Sequence, residues 1–357
     1  MASKPCNSPI LPKPRTFLEI TPRLLRGLTI ATLVLASMVV LAGSVVRMTG
    51  SGMGCPDWPK CFGLAIPPTS VDEVTWTAGE TYATGRMLLS NDTLWVAQST
   101  IQAQNFEQER KEGLWDPYTR HDYALFNPLH TWVEFINRLI GALTGIPALF
   151  LALGTFLFGW RQKRWRPFMW ALGNLVLLGL VAWMGKKVVD GNLIPFSITL
   201  HMLGAVAILL VLTAAWMSLA TPWTGPGLKR RPWLLVALVL TAIQLIGGTQ
   251  VREQVDVLSH AGLLRADWLD ALPHWWKWHR TGSWLILGVQ LFWAWPNRMG
   301  VPAARWSMAL VLLQMITGIV FVYASMPPWT QPMHLALAMA LLVSNGWAWM
   351  RCGSGKN

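Results

Sequence analysis

The chain has 357 residues, of which 53% are hydrophobic and only 13% charged. A soluble domain carries about 25% charged residues, so an ordinary soluble fold is excluded as the default. The formal charge of +12 would suit a nucleic-acid partner. Its basic residues, however, fall in short runs between apolar segments, where membrane topology accounts for them and no nucleic acid is needed.

Residues 1–26 are polar and basic, with Lys4, Lys13, Arg15, Arg23 and Arg26, and show no cleavable signal-peptide pattern. Eight apolar segments follow, at about 27–47, 130–158, 168–188, 197–219, 233–251, 276–295, 307–325 and 333–350. Each is close to the ~20 residues that carry a helix across a ~30 Å hydrocarbon core. The expected fold is an all-α integral membrane protein with eight transmembrane helices. If the spans alternate, the runs at 161–166 and 229–231, Arg298 with Arg305, and Arg351 with Lys356 all share the side of the N-terminal segment. Both termini are therefore expected in the cytoplasm. Arg47, Arg138, Lys186, Lys187, Arg252 and Arg280 fall at the opposite ends of spans, where that rule gives no reason for them.

The connection at 48–129 is long and polar and is expected to form a small extracytoplasmic lid or subdomain. The loop at about 252–275 is the second largest, and those at 189–196 and 326–332 are short. This long–short alternation suggests two four-helix halves, 27–219 and 233–350. Three motif pairs in the same order support a tandem duplication. They are "GSVVR" (43–47) with "GTQVR" (248–252), "NRLIG" (137–141) with "HRTG" (279–282), and "LHMLGAVAILL" (200–210) with "MHLALAMALLV" (333–343).

There are seven histidines. His121 and His260 lie in outer loops and read as solvated, and His274 sits just outside the sixth span. His130, His201, His279 and His334 lie near the outer ends of the four even-numbered spans. Imidazoles facing each other across a bundle suit axial ligation of haem iron, one pair to each half. Each can also be an interfacial residue bonded to a neighbour or to water. Arg47, Arg138, Arg252 and Arg280 suit haem propionates, and Gly141, Gly204 and Gly282 would admit a flat ring. The 23 tryptophans read as an interfacial belt and bundle packing.

The second span breaks the symmetry. "HTWVEFINR" puts His130, Glu134 and Asn137 on one helical stripe, and Arg138 is read as lying on a different face. The matching "HWWKWHR" has no acid. Glu134 is either one partner of a structural pair or a group that handles substrate or protons. On the second reading the first half is the reactive site and the second half passes electrons.

The stretches "GSVVRMTGSGMGCPDWPKCFG" (43–63), "EFINR", "LHMLGA", "WHRTG" and "QPMHLALA" resemble the heme A synthase family, over roughly 27–350. The resemblance implies an oxidoreductase that converts the C8 methyl of haem O to the formyl group of haem A by successive hydroxylations. It implies a low-spin haem b on His279 and His334, with Arg252 and Arg280 nearby. It places the haem O substrate in the first half with His201, Arg47 and Arg138, and Glu134 as the catalytic carboxylate. The family's second-span histidine falls on Asn137, and asparagine is a poor iron ligand. Either His201 serves alone or His130, two turns away on the same stripe, takes over; His130 is the expected ligand. Beyond haem O and membrane lipid, the resemblance admits a haem O synthase, an electron acceptor and a second copy of the chain as partners, in a bacterial inner membrane.

Cys55 and Cys61 lie on the outer, oxidising side and Cys6 and Cys352 inside. The outer pair is too small for zinc. It is expected to form a disulfide that shapes the loop, contributing about 2 kcal/mol by chain entropy, with a redox role as the alternative. Two other functions remain open: a non-enzymatic dihaem b-type cytochrome that exchanges electrons with quinone, and a repeat-built transporter with histidine relays.

Overall fold

The computed structural model describes residues 20–119, 126–190 and 197–352. Lys4, Cys6, Lys13, Arg15, His121 and Lys356 lie outside the described residues. Among the described residues, seven helices are long and apolar enough to cross a membrane: α1 (Pro22–Thr49), α3 (Pro128–Gln162), α4 (Arg166–Asp190), α5 (Ser197–Leu219), α6 (Arg231–His260), α9 (Pro302–Tyr323) and α10 (Thr330–Cys352). The segment expected as the sixth span is also helical, as α8 (Trp276–Ala294). Its first turns, with Lys277, His279 and Arg280, lower its mean hydropathy, and it is not among the seven.

Local signals set the helix ends. Thr21 caps α1 by accepting the Leu24 amide at 3.2 Å, Pro22 opens the helix, and Gly50 closes it at φ 70°. Asn127 caps α3 in the same way through the His130 amide, with Pro128 behind it. The end of α6 differs from expectation. The loop expected from 252 begins as about two and a half more turns of helix, because Val251, Val255 and Leu258 keep the helical apolar spacing. They pack against Trp268 of the short helix α7 (Trp268–Ala271), Leu272 and Met326. His260 is thus the last residue of a helix, exposed as expected.

The helices pack in two similar cycles. In the first half α1 packs on α3, α3 on α4, α4 on α5, and α5 back on α1. In the second, α6 packs on α8, α8 on α9, α9 on α10, and α10 back on α6. The cycles meet through α1, α5, α6 and α10. There Ala36, Leu209, Leu212, Leu245, Met339 and Leu342 form the central apolar core. The large exposed side chains of α3 and α9, such as Phe150, Leu153, Leu312 and Ile316, suit a lipid-facing surface.

The connection between α1 and α3 corrects the all-α expectation. It contains β1 (Thr81–Tyr82), β2 (Met87–Ser90), β3 (Thr93–Ala97), β4 (Ile101–Gln102), the short helix α2 (Phe106–Lys111) and β5 (Trp115–Pro117). β1 pairs with β4, and β2–β3–β5 form an antiparallel sheet, with Leu88 opposite Trp95. This subdomain has its own core of Tyr82, Leu88, Trp115 and Phe106. Glu109 is buried in it as an acceptor for the Gln104 amide at 2.6 Å and the Trp115 and Trp76 indoles at 3.0 and 3.2 Å. A second cluster, built on Phe62, Met87 and Leu94, seats Cys55 and Cys61.

Candidate functional site

Two places in the helical bundle hold the expected histidines and carboxylate, and the lid covers one of them. Cys55 and Cys61 form a disulfide with Cα atoms 4.9 Å apart. The small loop it closes sits on the first turns of α3. The Cys55 amide donates to Glu134 Oε2 at 2.9 Å, and Thr131 Oγ1 donates to the Gly54 carbonyl at 2.8 Å. A Cβ on Gly54 would run into the His130 carbonyl, so only glycine permits this approach. Tyr118 ties the loop to the lid by donating to the Pro56 carbonyl at 2.6 Å.

Glu134 is 4% exposed. Arg138, expected on another face, is in fact its ion-pair partner. Residues four apart share a helix face, so the sequence reading was wrong there. Arg138 also donates to the Asp57 and Lys60 carbonyls at 2.7 and 3.1 Å. It therefore bridges the carboxylate and the disulfide loop. Asp57 lies in that loop and accepts the Gly63 amide at 3.0 Å. Burial pushes its carboxyl above the usual range, against the opposing pull of the Gly63 and Phe62 amides and the Arg138 charge. Glu134 thus has one oxygen on the Cys55 amide and the other on a guanidinium, which fixes its position.

The second place lies between α6, α8, α9 and α10. The ring centroids of His279 and His334 are 6.5 Å apart. Metal–nitrogen bonds of about 2 Å, with about 1 Å more to each ring centre, put trans imidazoles about 6 Å apart. Thr317 Oγ1 lies 2.7 Å from His334 Nδ1, which leaves Nε2 available. His279 Nδ1 is buried without a hydrogen-bond partner. Two histidines are too few for a zinc site and enough for haem, whose porphyrin fills the equatorial positions. The residues present fit a haem here.

Glycine flanks each ring, though not the glycines expected. A Cβ on Gly248 would lie 3.0 Å from His279 Cε1, one on Gly185 3.5 Å from His201 Cε1, and one on Gly318 3.8 Å from His334 Cε1. Gly141 meets nothing within 4 Å, Gly204 packs on Val181, and Gly282 packs on Gln244. His201 Nδ1 and Asn137 Oδ1 are buried without hydrogen-bond partners, and Asn137 faces Gly43 at 3.6 Å from its would-be Cβ. His130 sits in the first turn of α3, under the lid.

The outer-end arginines divide. Arg47 and Arg252 converge on Asp256, which the sequence reading missed. Arg252 Nη2 is 2.8 Å from Asp256 Oδ1, Arg47 pairs with Oδ2, and Arg252 also donates to the Arg47 carbonyl at 2.7 Å. Arg47 Nε and Arg252 Nη1 remain buried without partners, so the cluster keeps donors for a further carboxylate. Arg280 instead is exposed and lies over Trp276 at 5.2 Å. The signal for Asp256 was available in "REQVD", an i, i+4 Arg–Asp pair.

Apolar helices of membrane-spanning length, with facing histidines flanked by glycine in one part of the bundle and a buried carboxylate under a disulfide-closed lid in another, define a multi-pass membrane protein. The chain belongs to the cytochrome oxidase assembly protein family, whose sequence profile matches residues 26–88 and 116–345. It is similar to the heme A synthase of Methylobacterium radiotolerans, 28% identical over 352 residues that cover 88% of this chain and 85% of that one. The heme A synthase of Methylobacterium nodulans is 27% identical, covering 87% of each chain. That of Shewanella oneidensis is 24% identical over 68% of this chain and 61% of that one.

Proposed function

We propose that this protein is a heme A synthase that oxidises the C8 methyl of haem O to the formyl group of haem A. The observation that carries the reading is the asymmetry of the two halves. The first holds a buried carboxylate, Glu134, clamped by Arg138 and the Cys55 amide one turn from Asn137. The second holds a histidine pair at haem-ligand separation and no acid beside it.

On this reading, eight helices span a bacterial inner membrane with both termini in the cytoplasm, and residues 27–219 and 233–350 are duplicated halves. The two matching packing cycles and the repeated motifs support that duplication. Haem b in the second half, on His279 and His334, supplies electron transfer when bound. Arg252 of the Asp256 cluster and Arg280 at the mouth of that site serve its propionates. The substrate haem O lies in the first half with His201, Asn137, Arg47 and Arg138, and His130 is at its lid side.

Methyl to formyl is a four-electron oxidation. One oxygen atom is gained from water, and four protons and four electrons leave; a membrane electron acceptor takes the electrons. On this reading Glu134 is the carboxylate at the carbon that loses them. It would stabilise positive charge as it develops and take a proton from the attacking water. The lid limits which water reaches the site. A haem O synthase as donor and a homo-oligomeric assembly are compatible with this reading.

The test is to express the chain with a source of haem O, purify it, and chromatograph the extracted haems. Haem A with its alcohol intermediate is the expected result. Haem B alone would instead identify a dihaem cytochrome, and absence of haem a transporter.

A further inference from the structure

The internal repeat defines four equivalent positions near the outer ends of the helices, and the structure gives each the same neighbour. "GTQVR" and "HRTG" bring Gly248 of α6 against His279 of α8. Their first-half counterparts, "GSVVR" and "NRLIG", bring Gly43 of α1 against Asn137 of α3. Likewise Gly318 of α9 faces His334 of α10, and Gly185 of α4 faces His201 of α5, at the same sequence interval in both halves. Three of the four glycine-backed positions are histidine and the fourth is Asn137.

From this we infer that the first half ligates its haem iron through His201 alone, with the Asn137 carboxamide facing an open or weakly held sixth position. This rests on the reading that the first half holds a haem. His130 does not restore the missing imidazole. It is seven residues before Asn137 on one helix, about 10 Å along the axis. Glu134 lies between the two, tied to the Cys55 amide. The Gly54 backbone is packed against the His130 carbonyl, which holds that turn of α3 beneath the lid. His130 therefore belongs to the lid contact and Asn137 to the level of the other three positions.

The chemistry of the two sites then differs. Two imidazoles give a strong, low-spin field at His279 and His334, where Thr317 also fixes one ring. At His201 one imidazole gives a weaker field. A carboxamide is a poor iron ligand, but it can hydrogen-bond a small neutral ligand in the open position. His201 Nδ1, with no partner, lacks the hydroxyl that orients His334.

The experiment uses the purified haem-loaded protein and carbon monoxide as probe, read by absorbance and magnetic circular dichroism. With two haems per chain, one is expected to be low-spin and inert to carbon monoxide, and the other high-spin and reactive. Asn137→His should convert the second to low-spin and abolish its carbon monoxide band. Asn137→Ala should leave it high-spin, and His130→Ala should not change the spectrum. Two low-spin haems, with one turning high-spin in His130→Ala, overturn the inference but keep the first-half haem. A single haem per chain in wild type under haem excess, unaffected by His201→Ala, overturns the first-half haem itself and the inference with it.

Discussion

Arg47 of α1 and Asp256 of α6 form an ion pair across the seam between the two halves, and Arg252 grips the same carboxylate from its own helix. One acid therefore holds two guanidiniums, one from α1 and one from α6. Asp256→Asn removes the shared charge while both arginines stay partly buried. Breaking such a group should cost about 1–3 kcal/mol, less than a fully buried pair because each side chain keeps about a fifth of its exposure. The check is thermal unfolding of the detergent-solubilised protein, with Asp256→Glu recovering most of the loss.

Glu134→Gln keeps the shape of the side chain and loses its charge. Haem A output should fall about 100-fold or more, the range of a positioned carboxylate or electrostatic stabiliser. The low-spin haem spectrum of the second half should not change. Full turnover in this variant removes Glu134 from the mechanism.

Serine at both Cys55 and Cys61 opens the loop that presents the Cys55 amide to Glu134 and two carbonyls to Arg138. The lid should lose about 2 kcal/mol of stability, and turnover should fall without disappearing if the disulfide only shapes the loop. Mass spectrometry under non-reducing conditions establishes the starting state, and haem chromatography reads the effect. Complete loss of turnover with an intact lid would favour a redox role.

The glycines beside the rings predict opposite outcomes at two positions. Gly248→Val puts bulk where even a Cβ lies 3.0 Å from His279, and should reduce low-spin haem occupancy. Gly141→Ala, with nothing within 4 Å, should leave the spectrum unchanged. The haem-to-protein ratio after purification distinguishes them.

Glu109 makes the lid sensitive to acid. Burial alone would raise its carboxyl, but the Gln104 and Asn105 amides and the Trp115 and Trp76 indoles outweigh it, and the net shift is downward from 4.5. A carboxyl held below its unfolded value stabilises the fold above that value, and the stabilisation is lost as pH falls through the lowered one. Near-ultraviolet dichroism of the lid tryptophans should therefore collapse on acidification below about pH 4.5. Glu109→Gln should weaken the lid at neutral pH and flatten that dependence.

The helices were legible because each apolar run is long and its ends carry strong signals, such as Thr21–Pro22 and Asn127–Pro128. The outer end of α6 was not, because hydropathy falls after Val251 while the helical spacing of Val255 and Leu258 continues. The lid's strands are two to five residues long; β2 and β3 form a local hairpin turned by Asn91 and Asp92, but β1–β4 and β3–β5 pair across intervening elements, which a local pattern does not carry. Within the site, the histidines and Glu134 were readable as costly groups in apolar segments. The partners were harder to find: the Cys55 amide comes to Glu134 from another part of the chain, the local Arg252–Asp256 pair was passed over, and Arg138 was put on the wrong face by too strict a reading of the stripe. The flanking glycines sit on the neighbouring helix, so searching beside each histidine in sequence found the wrong ones.

α3 has 35 residues, a rod of about 52 Å, against a hydrocarbon thickness of about 30 Å. It is about 20 Å longer than that thickness, a difference that tilt, the bend at Pro147 and an extension beyond the tails share among them. Its first two turns, bearing Thr131 and Glu134, are the part the lid grips. The lid therefore meets α3 at the end that holds Glu134. On the proposed reading, water would be drawn and protons discharged on the lid side, with no need of a hydrated channel through the bundle.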